Sequence, residues 1–120
     1  MRIAVTTILI ALCLLACGAS ARERTVATAL TATNASRDAF VAWDSAHQAA
    51  LVAKATSLDD GRHLLEAYRR QRDPIVQGFA AVYRLIATAA IVSNDPAAVP
   101  ALLQATAMLQ AALKELGVSL

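Results

Sequence analysis

Residues 65–89 read LEAYRRQRDPIVQGFAAVYRLIATA and carry a sustained helical pattern. Side chains suited to packing recur there at intervals of three and four residues, with one arginine among them: Leu65, Tyr68, Arg72, Ile75, Phe79, Val82, Ile86 and Ala89. This spacing places them along one face of an α-helix, as in helices that pack side by side. The pattern therefore predicts a long helix within a bundle.

The dipeptide Asp73-Pro74 lies inside this pattern and allows two interpretations. Asp73 could cap a fresh helix with Pro74 at its first position, where proline is well tolerated. Alternatively, one helix over about 59–93 continues through Pro74 with a kink. The unbroken register favours the single kinked helix. Gly78 would then either ease the bend or admit a large neighbour such as Trp43.

A second long helix is predicted before this one, over about 23–56, since no glycine or proline interrupts the chain there. Ser57 suits the N-cap of the helix that follows. The stretch Ser93-Asn94-Asp95-Pro96 would end that helix and start a shorter third one over about 97–116. Gly117 is a natural stop for the third helix.

The two flanking helices have their own predicted core faces. In the first helix these are Val26, Leu30, Thr33, Phe40, Trp43, His47 and Leu51, and in the third Val99, Leu102, Leu103, Thr106, Leu109, Leu113 and Leu116.

We therefore predict an all-α fold, a three-helix antiparallel bundle running up, down and up. It has two long helices and a shorter third, and a signal-peptide helix precedes it. The third helix, about 30 Å long against about 50 Å for the others, should end near the level of Pro74. This leaves a three-helix half and a two-helix hairpin from about His47 to Asp73, where most of the charged residues crowd.

Composition argues against several classes of function. Hydrophobic residues make up 58% of the chain but aromatic ones only 4%, which favours alanine-rich helices. The formal net charge of +2 offers no electrostatic basis for binding nucleic acid. The chain has no H-E-x-x-H, no paired C-x-x-C, no glycine-rich phosphate loop and no G-x-S-x-G. We expect no enzyme activity, no catalytic residues, no metal site and no cofactor.

One grouping within the first helix resembles a site by composition alone. Trp43, Asp44 and His47 lie within five positions of one another. A histidine in such a setting is more often a packed, hydrogen-bonded interface residue than a catalytic one. We therefore expect His47 to pack between helices.

The N-terminal segment differs from the rest of the chain. Met1-Arg2 precedes the apolar run Ile3–Ala16, which has 14 residues and is typical of a signal peptide rather than a membrane span of about 20 residues. At its end, Leu14-Leu15-Ala16-Cys17 resembles the lipobox of bacterial lipoproteins, with leucine three residues before the cysteine and small Ala16 directly before it. The other cysteine, Cys13, lies inside the apolar run.

The resemblance implies that residues 1–16 are removed, that the Cys17 thiol is lipidated and that the new N-terminus is acylated. Residues 17–22 would tether the lipid to the bundle over 23–120. The chain would then be exported and membrane-anchored facing the periplasm. Gly18 after the cysteine is compatible with the outer membrane in a Gram-negative host. A helix of about 34 residues would carry the hairpin tip roughly 50 Å from the bilayer.

Other interpretations of the N-terminus stay open. Ala19-Ser20-Ala21 is an A-x-A site, and cleavage after Ala21 would release a soluble periplasmic or secreted chain, such as a helical binding or chaperone-like module. An uncleaved short anchor is a further alternative. A phage or defence-associated accessory lipoprotein would share all these features. The favoured expectation is a small exported, lipid-anchored envelope protein with a structural or protein-interaction role, which presents its helical hairpin away from the membrane.

The hairpin is the region nominated for binding a protein or an anionic envelope partner. Four arginines are the candidate partner-binding residues: Arg62, Arg69, Arg70 and Arg72. The competing interpretation is a solvated face on which the pairs Glu66–Arg70 and Arg69–Asp73, four residues apart, cancel most of the charge. Arg72 differs from the others because it occupies a core-register position. It would either mark where the third helix ends or make a buried polar contact.

Overall fold

The computed structural model describes residues 20–91 and 95–120 and confirms the all-α three-helix bundle. The helices are α1 (Ala21–Lys54), α2 (Leu58–Ile91) and α3 (Ala98–Leu116). At most two residues separate these bounds from the predicted ones. The predicted signal peptide over 1–16 and the predicted lipidation site Cys17 lie outside the described residues.

Helix α1 begins earlier than predicted because Ser20 and Glu23 form a capping box. The Glu23 backbone N–H donates to Ser20 Oγ at 3.1 Å, and the Ser20 N–H donates to the Glu23 carboxylate at 2.9 Å. Each side chain thus satisfies a backbone donor that the first helical turn would otherwise leave without a partner. The helix start is therefore set by Ser20 and not by the arginine-rich turn after it.

Helix α2 is one continuous helix with Pro74 inside it, so a fresh helix does not start at Asp73. Its own start follows the prediction, since Ser57 Oγ accepts the Asp60 N–H at 3.1 Å. The Asp60 carboxylate in turn accepts the Thr56 N–H at 2.9 Å. Side chains within the turn between α1 and α2 therefore stabilise its backbone.

Helix α3 ends at Leu116 and is capped by Gly117, as predicted. Gly117 adopts a left-handed backbone with φ 98°, and the Val118 N–H then donates to the Leu113 carbonyl at 3.0 Å. This arrangement satisfies carbonyls of the last turn and turns Val118 back onto the core, where it is buried.

Contacts between α1 and α2 show that the two helices are antiparallel. Tyr68 bonds to Asp44, Tyr83 bonds to Asn34, and Arg22 bonds to the carbonyl of Ala89. Partners step back along α1 as they advance along α2. All three helix pairs are in contact, and α3 packs on both long helices. The N-terminus of α1, the C-terminus of α2 and the N-terminus of α3 therefore share one end of the bundle.

The core lies in the three-helix half, and α2 supplies its regular seam. Every buried residue of α2 belongs to the predicted register: Tyr68, Ile75, Phe79, Val82, Ile86 and Ala89. The Phe40 and Phe79 rings meet at 5.7 Å between centroids. The predictions for Leu30 and Leu103 were wrong, because they are 40% and 52% exposed. The small side chains of Ala29 and Ala98 are buried instead, which lets the helices approach closely.

The prediction that Gly78 admits Trp43 was also wrong. A Cβ atom at Gly78 would lie 3.2 Å from Leu109 Cδ1, so the glycine makes room for α3. Pro74 and Gly78 line one wall of a groove whose other wall includes Ala112, near the end of α3. The third helix therefore ends near the level of Pro74, and beyond it only α1 and α2 continue.

Candidate functional site

A polar cluster joins α1 and α2 where the third helix gives out. Asp44 is 7% exposed, and its carboxylate accepts four hydrogen bonds. The Tyr68 hydroxyl donates to Oδ1 at 2.6 Å, and Arg72 Nε donates to both carboxylate oxygens at 3.0 Å. Gln48, one turn along α1, donates to Oδ1 at 3.0 Å. A buried carboxylate is thus paired with a cation and hydrogen-bonded at both oxygens, as burial of a charge requires.

The cluster perturbs the protonation of both its buried members. Burial alone would raise the pKa of Asp44, but hydrogen bonds from Tyr68, Gln48 and Arg72, together with the Arg72 charge, lower that pKa below its usual value. Burial, the hydrogen bond to Asp44 and the charge of Asp44 all raise the pKa of the Tyr68 hydroxyl, and Arg72 offsets this only in part. The charged carboxylate and the neutral phenol are therefore the favoured states.

Aromatic rings close one side of this cluster. His47 stacks on Trp43 with centroids 4.6 Å apart and planes 10° apart, and it meets Tyr68 at 4.7 Å. His47 is half-buried, so the structure places it between rings at the helix interface, as expected for a packed residue. Within residues 20–91 and 95–120, the hydrogen bond also expected for His47 is not found. Its packing, rather than proton transfer, explains its position.

The geometry of the cluster suits a structural connection between the two long helices. Three side chains hydrogen-bond to the Asp44 carboxylate: Tyr68, Arg72 and Gln48. Tyr68 and Arg72 lie 24 and 28 residues away in sequence, on the next helix. The cluster therefore aligns α1 with α2 in a region that the third helix does not support.

The four candidate arginines divide into two groups. Arg72 is 34% exposed at its side chain and is committed to Asp44, which is the polar contact foreseen for a core-register arginine. The other three are exposed: Arg62, Arg69 and Arg70. We call these three residues the arginine face. Residues 62 and 69 are seven positions apart, about two helical turns, so they project from the same side of α2.

Most of the charge cancellation expected on the arginine face is absent. Asp59 lies 3.9 Å from Arg62, with both side chains largely exposed. The predicted pairs Glu66–Arg70 and Arg69–Asp73 form no salt bridge within the described part of the chain. Exposed ion pairs contribute little even where they form. The guanidinium groups of Arg69 and Arg70 therefore remain accessible to a partner.

The hairpin tip beside this face is partly apolar. Val52 is 56% exposed and Leu58 is 76% exposed, on the two sides of the turn. Both line a shallow groove with Gly61, Leu65 and Arg62, of about 400 Å³. Sequence reasoning missed this groove because Val52 and Leu58 lie outside the helical core register. Their apolar character at a turn was the available signal.

Two further features of the described residues bear on function. No group of three or more histidine, cysteine or acidic side chains is close enough there to hold a metal ion. By length and composition, α2 could cross a membrane, with a mean hydropathy of 1.4 over its most apolar 18 residues. This is weak evidence of a span, since core helices of soluble proteins pass the same test.

No protein-family model matches the chain, and no curated protein or solved structure matches it.

Proposed function

We propose that this chain is a small exported lipoprotein of the bacterial envelope, anchored through Cys17, whose helical hairpin binds an anionic protein partner away from the membrane. The observation that carries the proposal is the closeness of the lipobox to the bundle. Only Gly18 and Ala19 separate Cys17 from Ser20, the N-cap of α1. An anchor at Cys17 would therefore hold the start of α1 next to the bilayer.

The capping box favours the lipobox over the alternative cleavage site. Cleavage after Ala21 would remove Ser20, whose side chain accepts the Glu23 N–H. Loss of such an N-cap costs about 1 kcal/mol of helix stability. Cleavage before Cys17 keeps Ser20, Glu23 and the first turn intact. The local structure thus suits the mature chain that the lipobox would produce.

The form of the hairpin supports an interaction role. Helix α1 has 34 residues, a length of about 50 Å, and leads from the anchor to the tip. The Asp44 cluster keeps the two helices aligned in the part that α3 does not reach. Arg62 and the apolar tip groove lie beyond that cluster. Arg69 and Arg70 lie at its level, between Tyr68 and Arg72 along α2. Exposed arginines beside an apolar patch are the composition that protein interfaces favour.

Metabolic labelling tests the anchor. A radioactive fatty acid should label the wild-type chain and fail to label Cys17→Ala. The chain offers a matched control, because Cys13→Ala changes a cysteine four residues away inside the segment that would be removed. That variant should keep its label. Labelling of Cys17→Ala, or a mature N-terminus at Arg22, would refute the anchor and favour the soluble periplasmic alternative.

Charge reversal tests the arginine face. Arg69→Glu with Arg70→Glu should abolish capture of a partner from envelope fractions after cross-linking. The matched control reverses two exposed arginines elsewhere, Arg37 and Arg84, and should leave capture unchanged. Arg72 is left intact, because a glutamate there would face Asp44 and unfasten the hairpin. Equal capture by both double variants would refute the arginine face as the binding surface.

A further inference from the structure

We propose that the end of the bundle next to Cys17 lies in the headgroup region of the bilayer, with Ile91 and Leu103 in contact with lipid. This inference rests on the proposed function, since it requires the lipid on Cys17. We call this end the proximal end; it consists of the first turn of α1, the last turn of α2 and the first two turns of α3. The opposite end is the hairpin tip.

Distance is the first argument. The chain from Cys17 to Ser20 spans at most about 11 Å even when fully extended. The headgroup region on each side of a bilayer is about 5–8 Å thick. A lipidated Cys17 would therefore keep Ser20, and the helix that it caps, within reach of the lipid headgroups. The proximal end cannot stand clear of the membrane by more than a few water layers.

The second argument is the apolar surface at this end. Ile91, the last residue of α2, is 81% exposed, and Leu103 on α3 is 52% exposed. The side chain of Arg22 bonds to the carbonyl of Ala89, so the last turn of α2 packs beside the first turn of α1. Leu103, in the second turn of α3, lines a groove that begins at Ala21 and runs along α1 to Ala32. Two exposed large apolar side chains, Ile91 and Leu103, thus lie at the same end of the bundle as Ser20.

The charges at the proximal end are arranged to suit a phospholipid surface. Its two acidic groups are both used by helix starts: Glu23 accepts the Ser20 N–H, and Asp95 accepts the Ala97 N–H at 2.9 Å. Arg24 is exposed beside Leu103 in the same groove, and no ion pair to it is found among the described residues. Arginine at a bilayer surface rests its apolar stem on acyl chains and directs its guanidinium to phosphate. Interfacial segments commonly insert to depths of about 5–10 Å in this way.

The hairpin tip provides an internal comparison. Leu58 is 76% exposed at the tip, nearly as much as Ile91, but it lies at the other end of helices about 50 Å long. Exposure of apolar side chains therefore does not by itself distinguish the two ends. The position of Cys17 distinguishes the two ends, because a lipid on this residue would hold the proximal end at the bilayer and leave the hairpin tip in water.

Depth-dependent fluorescence quenching tests this assignment on the full-length chain. Ile91→Cys and Leu58→Cys are each labelled with an environment-sensitive fluorophore after purification from membranes, and Cys17 carries no free thiol if it is lipidated. The labelled proteins are reconstituted into phosphatidylethanolamine–phosphatidylglycerol vesicles that contain a nitroxide lipid. Quenching at position 91 should exceed quenching at position 58 several-fold. In a second experiment the fluorophore is attached at Leu103→Cys, and Ile91→Asp or Leu58→Asp is added to that variant. Only Ile91→Asp should reduce the quenching at position 103.

The outcomes separate the two proposals. Equal quenching at positions 91 and 58 in a chain whose intact mass includes the lipid would overturn the docking and leave the anchor standing. If the fluorophore at position 91 is shielded from water increasingly as protein density rises, and the nitroxide lipid does not quench it, a second copy of the chain covers this surface. That result would overturn the lipid contact. An intact mass without lipid on Cys17 would overturn the proposed function and the docking together.

Discussion

Replacing Asp44 with alanine removes the acceptor shared by every donor in the hairpin cluster. Tyr68 is 3% exposed, so its hydroxyl would be left buried without a partner, at a cost of about 2 kcal/mol. Arg72 is one-third exposed at its side chain, and water can replace much of its contact, so the ion pair adds at most about 1 kcal/mol. We expect Asp44→Ala to lower the free energy of unfolding by about 2–3 kcal/mol.

Urea unfolding followed by circular dichroism measures this change. A loss of 2–3 kcal/mol corresponds to a roughly 30- to 160-fold shift in the unfolding equilibrium. Trp43 fluorescence reports on the cluster itself, because the Trp43 and Tyr68 rings lie 6.1 Å apart. Gln48→Ala is the matched control, since Gln48 donates to the same carboxylate oxygen but is only half-buried, and its loss should cost under about 1 kcal/mol. A change below about 0.5 kcal/mol for Asp44→Ala would refute the cluster as a fastening.

The charge of Asp44 also predicts how stability depends on pH. Its pKa is lowered in the folded chain, so its contribution is complete above the unfolded value of about 3.9 and is lost as the pH falls through the lower folded value. Asp44→Asn keeps an acceptor for Tyr68 but cannot lose a charge. The stability difference between wild type and Asp44→Asn should therefore shrink as the pH falls below about 4. A difference that stays constant from neutral to acidic pH would contradict the lowered pKa.

Three other measurements test the helices individually. Ser20→Ala should lower the free energy of unfolding by about 1 kcal/mol, seen as a lower Tm, because the first turn loses its side-chain acceptor. Leu102→Ala should cost about 2–5 kcal/mol because Leu102 is fully buried. Leu103→Ala should change stability by no more than about 0.5 kcal/mol, and equal costs would contradict the orientation of α3. Because the pKa of Tyr68 is raised, its hydroxyl should not ionise near pH 10, where an unperturbed tyrosine does. The absorbance titration of wild type minus that of Tyr68→Phe should therefore show no phenolate step near pH 10. Such a step would contradict the hydrogen bond to Asp44.

The candidate site was only partly predictable. The sequence singled out Arg72 as an arginine in an apolar seam, and that register position is what brings it to Asp44. Asp44 was noticed only for its closeness to His47, because nothing in its neighbourhood along the chain indicates a partner on the next helix. The pairs expected on the arginine face were inferred from spacing alone. A spacing of four residues allows an ion pair but does not ensure that it forms, since exposed long side chains gain little free energy by pairing.

Helix starts and ends are local chemistry, and the sequence by itself determined most of them. Ser57 and Gly117 act as predicted, and the Ser20–Glu23 capping box was equally readable although it was overlooked. The seam of α2 was also readable, because large side chains at regular spacing leave one face to bury. These features depend on residues within a turn or two of one another.

Only the tertiary structure decided which face of α1 is buried. Alanines and threonines lie on all sides of α1, and their small apolar areas differ too little to favour burial of one face over another. Packing against α2 and α3 buried Ala29 and left Leu30 exposed. The same packing brought Asp44 to Tyr68 and Arg72. Hydrogen bonds from these two side chains compensate the loss of water around the Asp44 carboxylate, whose burial could not be predicted from its neighbours in sequence.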